Sequence, residues 1–81
     1  MKRRKMIVQI EIKNGKTIDD FVRFHNNFIS THILKTSTPV LEIIRGYKTP
    51  EGVKYEFYYN LVAEKYIKEL KEERFKITVN Q

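Results

Sequence analysis

Two histidines, His25 and His32, are the only imidazoles in the chain, and cysteine is absent. Seven residues apart on one helix, they stand roughly 10 Å apart along the axis at about 1.5 Å of rise per residue. That separation keeps the pair from chelating one metal unaided. General acid–base catalysis on a phosphate, as in a small nuclease, requires both groups within reach of one substrate. The expected role of each ring is therefore structural, with a nitrogen bonded to a backbone carbonyl or a tyrosine. A pH-sensitive contact with a partner comes second, and nuclease chemistry is a minor alternative. Without Cys there are no disulfides, zinc knuckles, thiol nucleophiles or iron–sulfur clusters. The chain also lacks a Gly-rich phosphate loop, an HExxH pair and an EF-hand loop. No catalytic residue, metal or cofactor is assigned.

Basic residues are the other set able to recognise something. The 81 residues carry sixteen Lys and Arg against ten acids, for a net charge of +6. Lys2, Arg3, Arg4 and Lys5 stand together, and the remaining twelve cations nearly balance the acids. Four adjacent cations repel one another and resist burial, so residues 1–5 are expected to form a basic arm suited to phosphates or an acidic partner. The rest, 41% hydrophobic and 32% charged over the whole chain with 3 Gly and 2 Pro, has the makeup of a folded domain. Its size suits one core, so residues 6–81 are read as a single α+β domain. No apolar run approaches the roughly 20 residues that span a bilayer. The basic start leads into an alternating segment instead of a signal-peptide core, so a soluble, cytoplasmic protein with no membrane partner is expected.

Any such surface must be held by strands and helices, and the hydrophobic period gives them. In Lys5 to Lys13, Met6, Val8, Ile10 and Ile12 share one parity, the mark of a strand with one buried face. Asn14-Gly15 breaks it, and Thr17 stands three residues before Asp20, a shortened capping box that starts a helix near Ile18. Ile18, Phe21, Val22, Phe28, Ile29 and Ile33 recur on one face until the helix ends around Leu34. Val40 to Lys48 and Val53 to Asn60 are β-rich and flank Thr49-Pro50-Glu51-Gly52, which reads as a type I turn closed by a glycine bulge. That turn sets Lys48 opposite Lys54, Tyr47 opposite Tyr55, Arg45 opposite Phe57 and Ile44 opposite Tyr58. Leu41, Ile43, Tyr47, Val53, Tyr55, Phe57 and Tyr59 then form the core parity. Asn60 caps a second helix, Leu61 to Glu73, and Phe75, Ile77 and Val79 alternate in a last strand. The order βαββαβ, with every strand apolar on one face, predicts a ferredoxin-like two-layer sandwich: a four-stranded antiparallel sheet, order 4-1-3-2, with both helices on one face.

Such a sheet leaves one face open. On it the expected register gathers Lys13, Lys48, Lys54, Arg74 and Lys76 at one rim, with a small apolar patch of Ile7, Ile44 and Tyr58. An aromatic that stacks on a base beside cations that follow phosphates suits single-stranded nucleic acid. The topology resembles that of RNA-recognition-motif domains, and VKYEFYYN (residues 53–60) is similar to their aromatic-rich third strand. Membership is not assigned, because Tyr55, Phe57 and Tyr59 fall on the core parity, the first strand offers no aromatic partner, and the family's Gly-containing pattern is missing. The leading expectation is a non-enzymatic nucleic-acid-binding module using Lys2, Arg3, Arg4, Lys5, Lys13, Lys48, Lys54, Tyr58, Arg74 and Lys76. The alternative is a protein-binding accessory or inhibitor, of the kind phages and mobile elements encode, acting through a sheet edge or through Ile7, Ile44 and Tyr58. A homodimer fits either.

Overall fold

Alternation in the first segment produces the strand it predicts. In the computed structural model, which describes residues 6–13, 15–36, 39 and 43–80, β1 spans Met6–Glu11, with Met6, Val8 and Ile10 buried. The basic arm, residues 1–5, and Leu41 lie outside the described residues. Helix α1 covers Ile18–Phe28. Its N-terminus is closed by the expected box: the Asp20 amide donates to Thr17 Oγ1 at 3.1 Å, and the Thr17 amide donates to Asp20 Oδ2 at 2.9 Å. Hydrogen bonding to the carboxylate, first from the Thr17 amide and then from the Thr17 hydroxyl, holds the Asp20 carboxyl below its ordinary pKa. The helix continues as a π-helical turn over Ile29–Ile33, where the Leu34 amide reaches the Ile29 carbonyl at 2.9 Å and Ile33 enters the core.

Strands β2 (Ile44–Lys48) and β3 (Gly52–Phe57) form the hairpin, followed by α2 (Asn60–Glu72) and β4 (Lys76–Asn80). Helix α2 buries Ala63, Tyr66 and Leu70. It begins one residue earlier than expected: Tyr59 occupies the cap position and makes no side-chain cap bond, so Asn60 is not the cap. At its other end Arg74 takes the left-handed conformation, φ 65°, while the Phe75 amide bonds the Leu70 carbonyl and the Arg74 amide that of Lys71. This is a Schellman closure, a place usually taken by glycine.

The sheet is antiparallel throughout, in the order β2-β3-β1-β4, which is the expected order read from the opposite edge. Both helices rest on one face. Phe21 of α1 meets Tyr55 at 5.7 Å and Tyr66 of α2 meets Phe57 at 4.9 Å, and those two partners share one side of β3.

The hairpin register differs from the expected one by a single residue. Ile44 faces Phe57, Arg45 faces Glu56, Gly46 faces Tyr55, Tyr47 faces Lys54 and Lys48 faces Val53. A glycine bulge needs a left-handed Gly52, but the only positive-φ glycine among the described residues is Gly15. Thr49 and Gly52 instead bond to each other in both directions, at 3.0 and 3.3 Å, closing a two-residue loop. Gly52 is required for another reason: a Cβ there would strike the Ile10 carbonyl oxygen on β1. Because side chains alternate, one residue of slip exchanges the faces of the whole strand. Ile44, 3% exposed, belongs to the core, and Tyr47, expected inside, is 46% exposed.

Candidate functional site: the open face of the sheet

With the register established, the open face resolves into rows running from β4 through β1 and β3 to β2. One row is Asn80, Ile7, Glu56 and Arg45; the next is Thr78, Gln9, Lys54 and Tyr47. Lys76 and Glu11 begin a third, opposite Gly52. In the middle row the Lys54 ammonium lies 5.5 Å from the centre of the Tyr47 ring. The like-charge pairing of Lys48 with Lys54 therefore does not form. A cation facing an aromatic quadrupole replaces it, an attractive contact in place of a repulsive one.

The other expected residues separate into those on this face and those off it. Lys13 and Lys76 share the rim as foreseen, and both hold Glu11, at 3.6 and 3.5 Å. Lys48 stands opposite Val53, on the helix side of β2. Arg74 is exposed in the C-terminal closure of α2 and precedes β4. Tyr58 follows the end of β3, where its hydroxyl donates to Glu56 Oε1 at 3.3 Å. The apolar patch of Ile7, Ile44 and Tyr58 is not formed, since Ile44 turns inward and Arg45 takes its place beside Glu56. Met6, which follows the arm, pairs with Phe57, whereas the rim lies at Glu11. Met6 and Glu11 thus stand at opposite ends of β1, roughly 17 Å apart at about 3.4 Å per residue.

The aromatic that sequence reasoning missed is Tyr47. Its signal was the turn itself: a two-residue Pro50-Glu51 loop sets the open-face parity of β2 as Arg45 and Tyr47, whereas a bulged turn sets the reverse.

The histidines tie the two helices together. His25 Nδ1 is 2.8 Å from the Tyr66 hydroxyl, and His32 Nε2 is 3.0 Å from Glu69 Oε2. His25 thus has the tyrosine partner that the sequence suggested, whereas His32 meets a carboxylate in place of the expected carbonyl or tyrosine. His25 also stacks on Tyr55, with centroids 4.7 Å apart and planes 26° from parallel. Burial lowers the pKa of His25 and raises that of Tyr66, so the bond joins a neutral imidazole to an un-ionised phenol. Tyr55 reaches outward over Gly46, where a Cβ would strike its ring. Among the described residues no group of three His, Asp or Glu side chains is placed to hold a metal ion. No helix among them is long and apolar enough to cross a membrane. No protein family, curated protein or solved structure matches the chain.

Proposed function

We propose that this chain is a small nucleic-acid-binding module of ferredoxin-like architecture that holds a single strand against its open sheet face. The observation that carries the reading is the row of Tyr47, Lys54, Gln9 and Thr78, in which a half-exposed ring stands beside a cation and in line with two hydrogen-bonding side chains. A base stacks on Tyr47, Lys54 adds attraction beside it, and Gln9 and Thr78 offer donors and acceptors to the next base. Arg45, Lys13 and Lys76 face phosphates from the neighbouring rows, and Lys2, Arg3, Arg4 and Lys5 extend the interface from the other end of β1. Lys48 and Arg74 have no part in this surface, and Tyr47 takes the stacking role expected of Tyr58. The reading assigns no catalytic residue.

Fluorescence anisotropy with labelled mixed-sequence single strands at low salt tests it. Tyr47→Ala weakens binding by about 1 to 3 kcal/mol, with duplex binding less affected, whereas Tyr58→Ala changes little. Absence of single-strand binding at about 100 μM protein, where even non-specific sites are usually occupied, removes the proposal.

A protein-binding module is the second reading. It is favoured by Ile18 and Val22 of α1, 50% and 45% exposed, which line a groove beside the edge strand β2.

A further inference from the structure

Edge strand β2 carries a self-complementary pattern. Thr49 bonds Gly52 in both directions, and the Tyr58 amide donates to the Ile43 carbonyl. Antiparallel ladders alternate bonded and non-bonded pairs. In the observed register the backbone groups of Arg45 and Tyr47 therefore turn toward β3, while those of Ile44, Gly46 and Lys48 turn out of the sheet. Among the described residues no strand covers that edge. It contains no proline, a common obstacle to further pairing.

We infer that β2 pairs antiparallel with β2 of a second copy about a twofold axis at Gly46, joining the two sheets into one. Three registers set at least two pairs of outward residues opposite one another. Pairing Ile44 with Gly46 places Arg45 against Arg45, and like charges directly opposite are unfavourable. Pairing Gly46 with Lys48 shortens the overlap and brings Ile44 against Pro50, which has no amide to donate. Centring on Gly46 pairs the whole strand, with two backbone hydrogen bonds at the Gly46 pair and two at each pair of Ile44 with Lys48. Arg45 then stands across from Tyr47 of the other copy in the non-bonded pairs, where side chains approach most closely, and the guanidinium meets the ring. This charge complementarity selects a second copy as the occupant. On the helix side a groove of about 410 Å³ runs between α1 and β2. Two such grooves meet along the seam, and Ile18 and Val22 of both copies lose water there. The dimer does not rest on the nucleic-acid reading.

Sedimentation velocity on the full chain without nucleic acid, from about 10 μM to about 1 mM, is combined with amide hydrogen exchange at both ends of that range. A monomer–dimer equilibrium is expected. The amides of Ile44, Gly46 and Lys48 gain roughly tenfold or more protection at the high concentration, while those of Arg45 and Tyr47, bonded to β3, are protected at both. Lys48→Pro deletes an outward amide that bonds no strand among the described residues and weakens the dimer by roughly tenfold or more. Tyr47→Lys sets two cations opposite each other and weakens it, whereas Tyr47→Glu supplies an ion pair and tightens it. A protein monomeric up to about 1 mM, a dimer whose outward β2 amides gain no protection, or one tightened by Tyr47→Lys overturns the inference.

Discussion

His25 sits where three rings and a hydroxyl converge, stacked on Tyr55 and Phe21 and bonded to Tyr66, whose side chain is fully buried. Replacing it with Leu leaves the Tyr66 hydroxyl unpaired in the core, a destabilisation of about 1 to 3 kcal/mol by chemical denaturation. The same environment makes stability depend on pH. Desolvation holds the His25 pKa below its ordinary 6.5, so the unfolded chain binds the proton more readily than the folded one. Stability from the neutral ring is complete above that ordinary value and is lost as pH falls from it toward the folded value. The melting temperature is expected to drop as pH falls below that ordinary 6.5, and to drop less in His25→Gln, which cannot charge. The pair of His32 with Glu69 is common to both proteins, so their difference isolates His25. Asp20 acts in a separate window. Its lowered pKa gives stability that is present above its ordinary 3.8 and lost at more acidic pH.

Helix α2 ends on a residue poorly suited to the conformation it must adopt. Arg74 has φ 65°, and a left-handed residue bearing a Cβ costs about 1 to 2 kcal/mol relative to one without. The closure is nonetheless enforced, because Phe75 must turn back over Leu70 to reach the core and both are buried. Arg74→Gly is expected to raise stability by about 0.5 to 1 kcal/mol, since part of the relief is offset by the greater freedom of glycine when unfolded. Urea denaturation measures it; an unchanged or lower midpoint at constant m-value contradicts the assignment. The hairpin illustrates the opposite case. There the glycines are fixed by neighbours: Gly52 lets β3 lie close to Ile10, and Gly46 admits the Tyr55 ring.

On the proposed reading, the charges of sheet and arm together decide how the whole molecule would meet a polyanion. Within the described residues the rim cations Lys13 and Lys76 are partly offset by Glu11, and Arg45 stands opposite Glu56. The arm, with four of the sixteen cations, therefore supplies a large share of the unbalanced charge. Deleting Lys2 to Lys5 is expected to lower single-strand affinity and to flatten the log–log salt dependence by about 0.7 for each phosphate that the arm neutralises. An unchanged slope in an anisotropy titration across salt removes the arm from the interface. The deletion leaves the Tyr47 row intact, so the remaining binding should keep its sensitivity to Tyr47→Ala.

The elements were legible because each is specified locally. Period two in Met6–Glu11, the Thr17 and Asp20 box, the apolar stripe of α2 and the presence of a turn at Thr49 to Gly52, though not its two-residue form, all rest on a few residues. Buried Val8, Ile10, Phe21, Phe28, Phe57 and Tyr66 were equally readable, since an alternating or helical stripe has one way to leave water. The open face was read only in part. Lys13, Lys54 and Lys76 follow from strands β1, β3 and β4, whose parity is set by long apolar alternation. Strand β2 has no such anchor: IRGYK carries one aliphatic residue and one aromatic, so either parity suits the sequence. Its side was settled by contacts distant in the chain, with Gly52 against Ile10, Tyr55 over Gly46 and Ile44 packed beside Phe57. Those contacts placed Tyr47 rather than Ile44 on the open face, because a register is fixed by what the neighbouring strand and helix can accommodate.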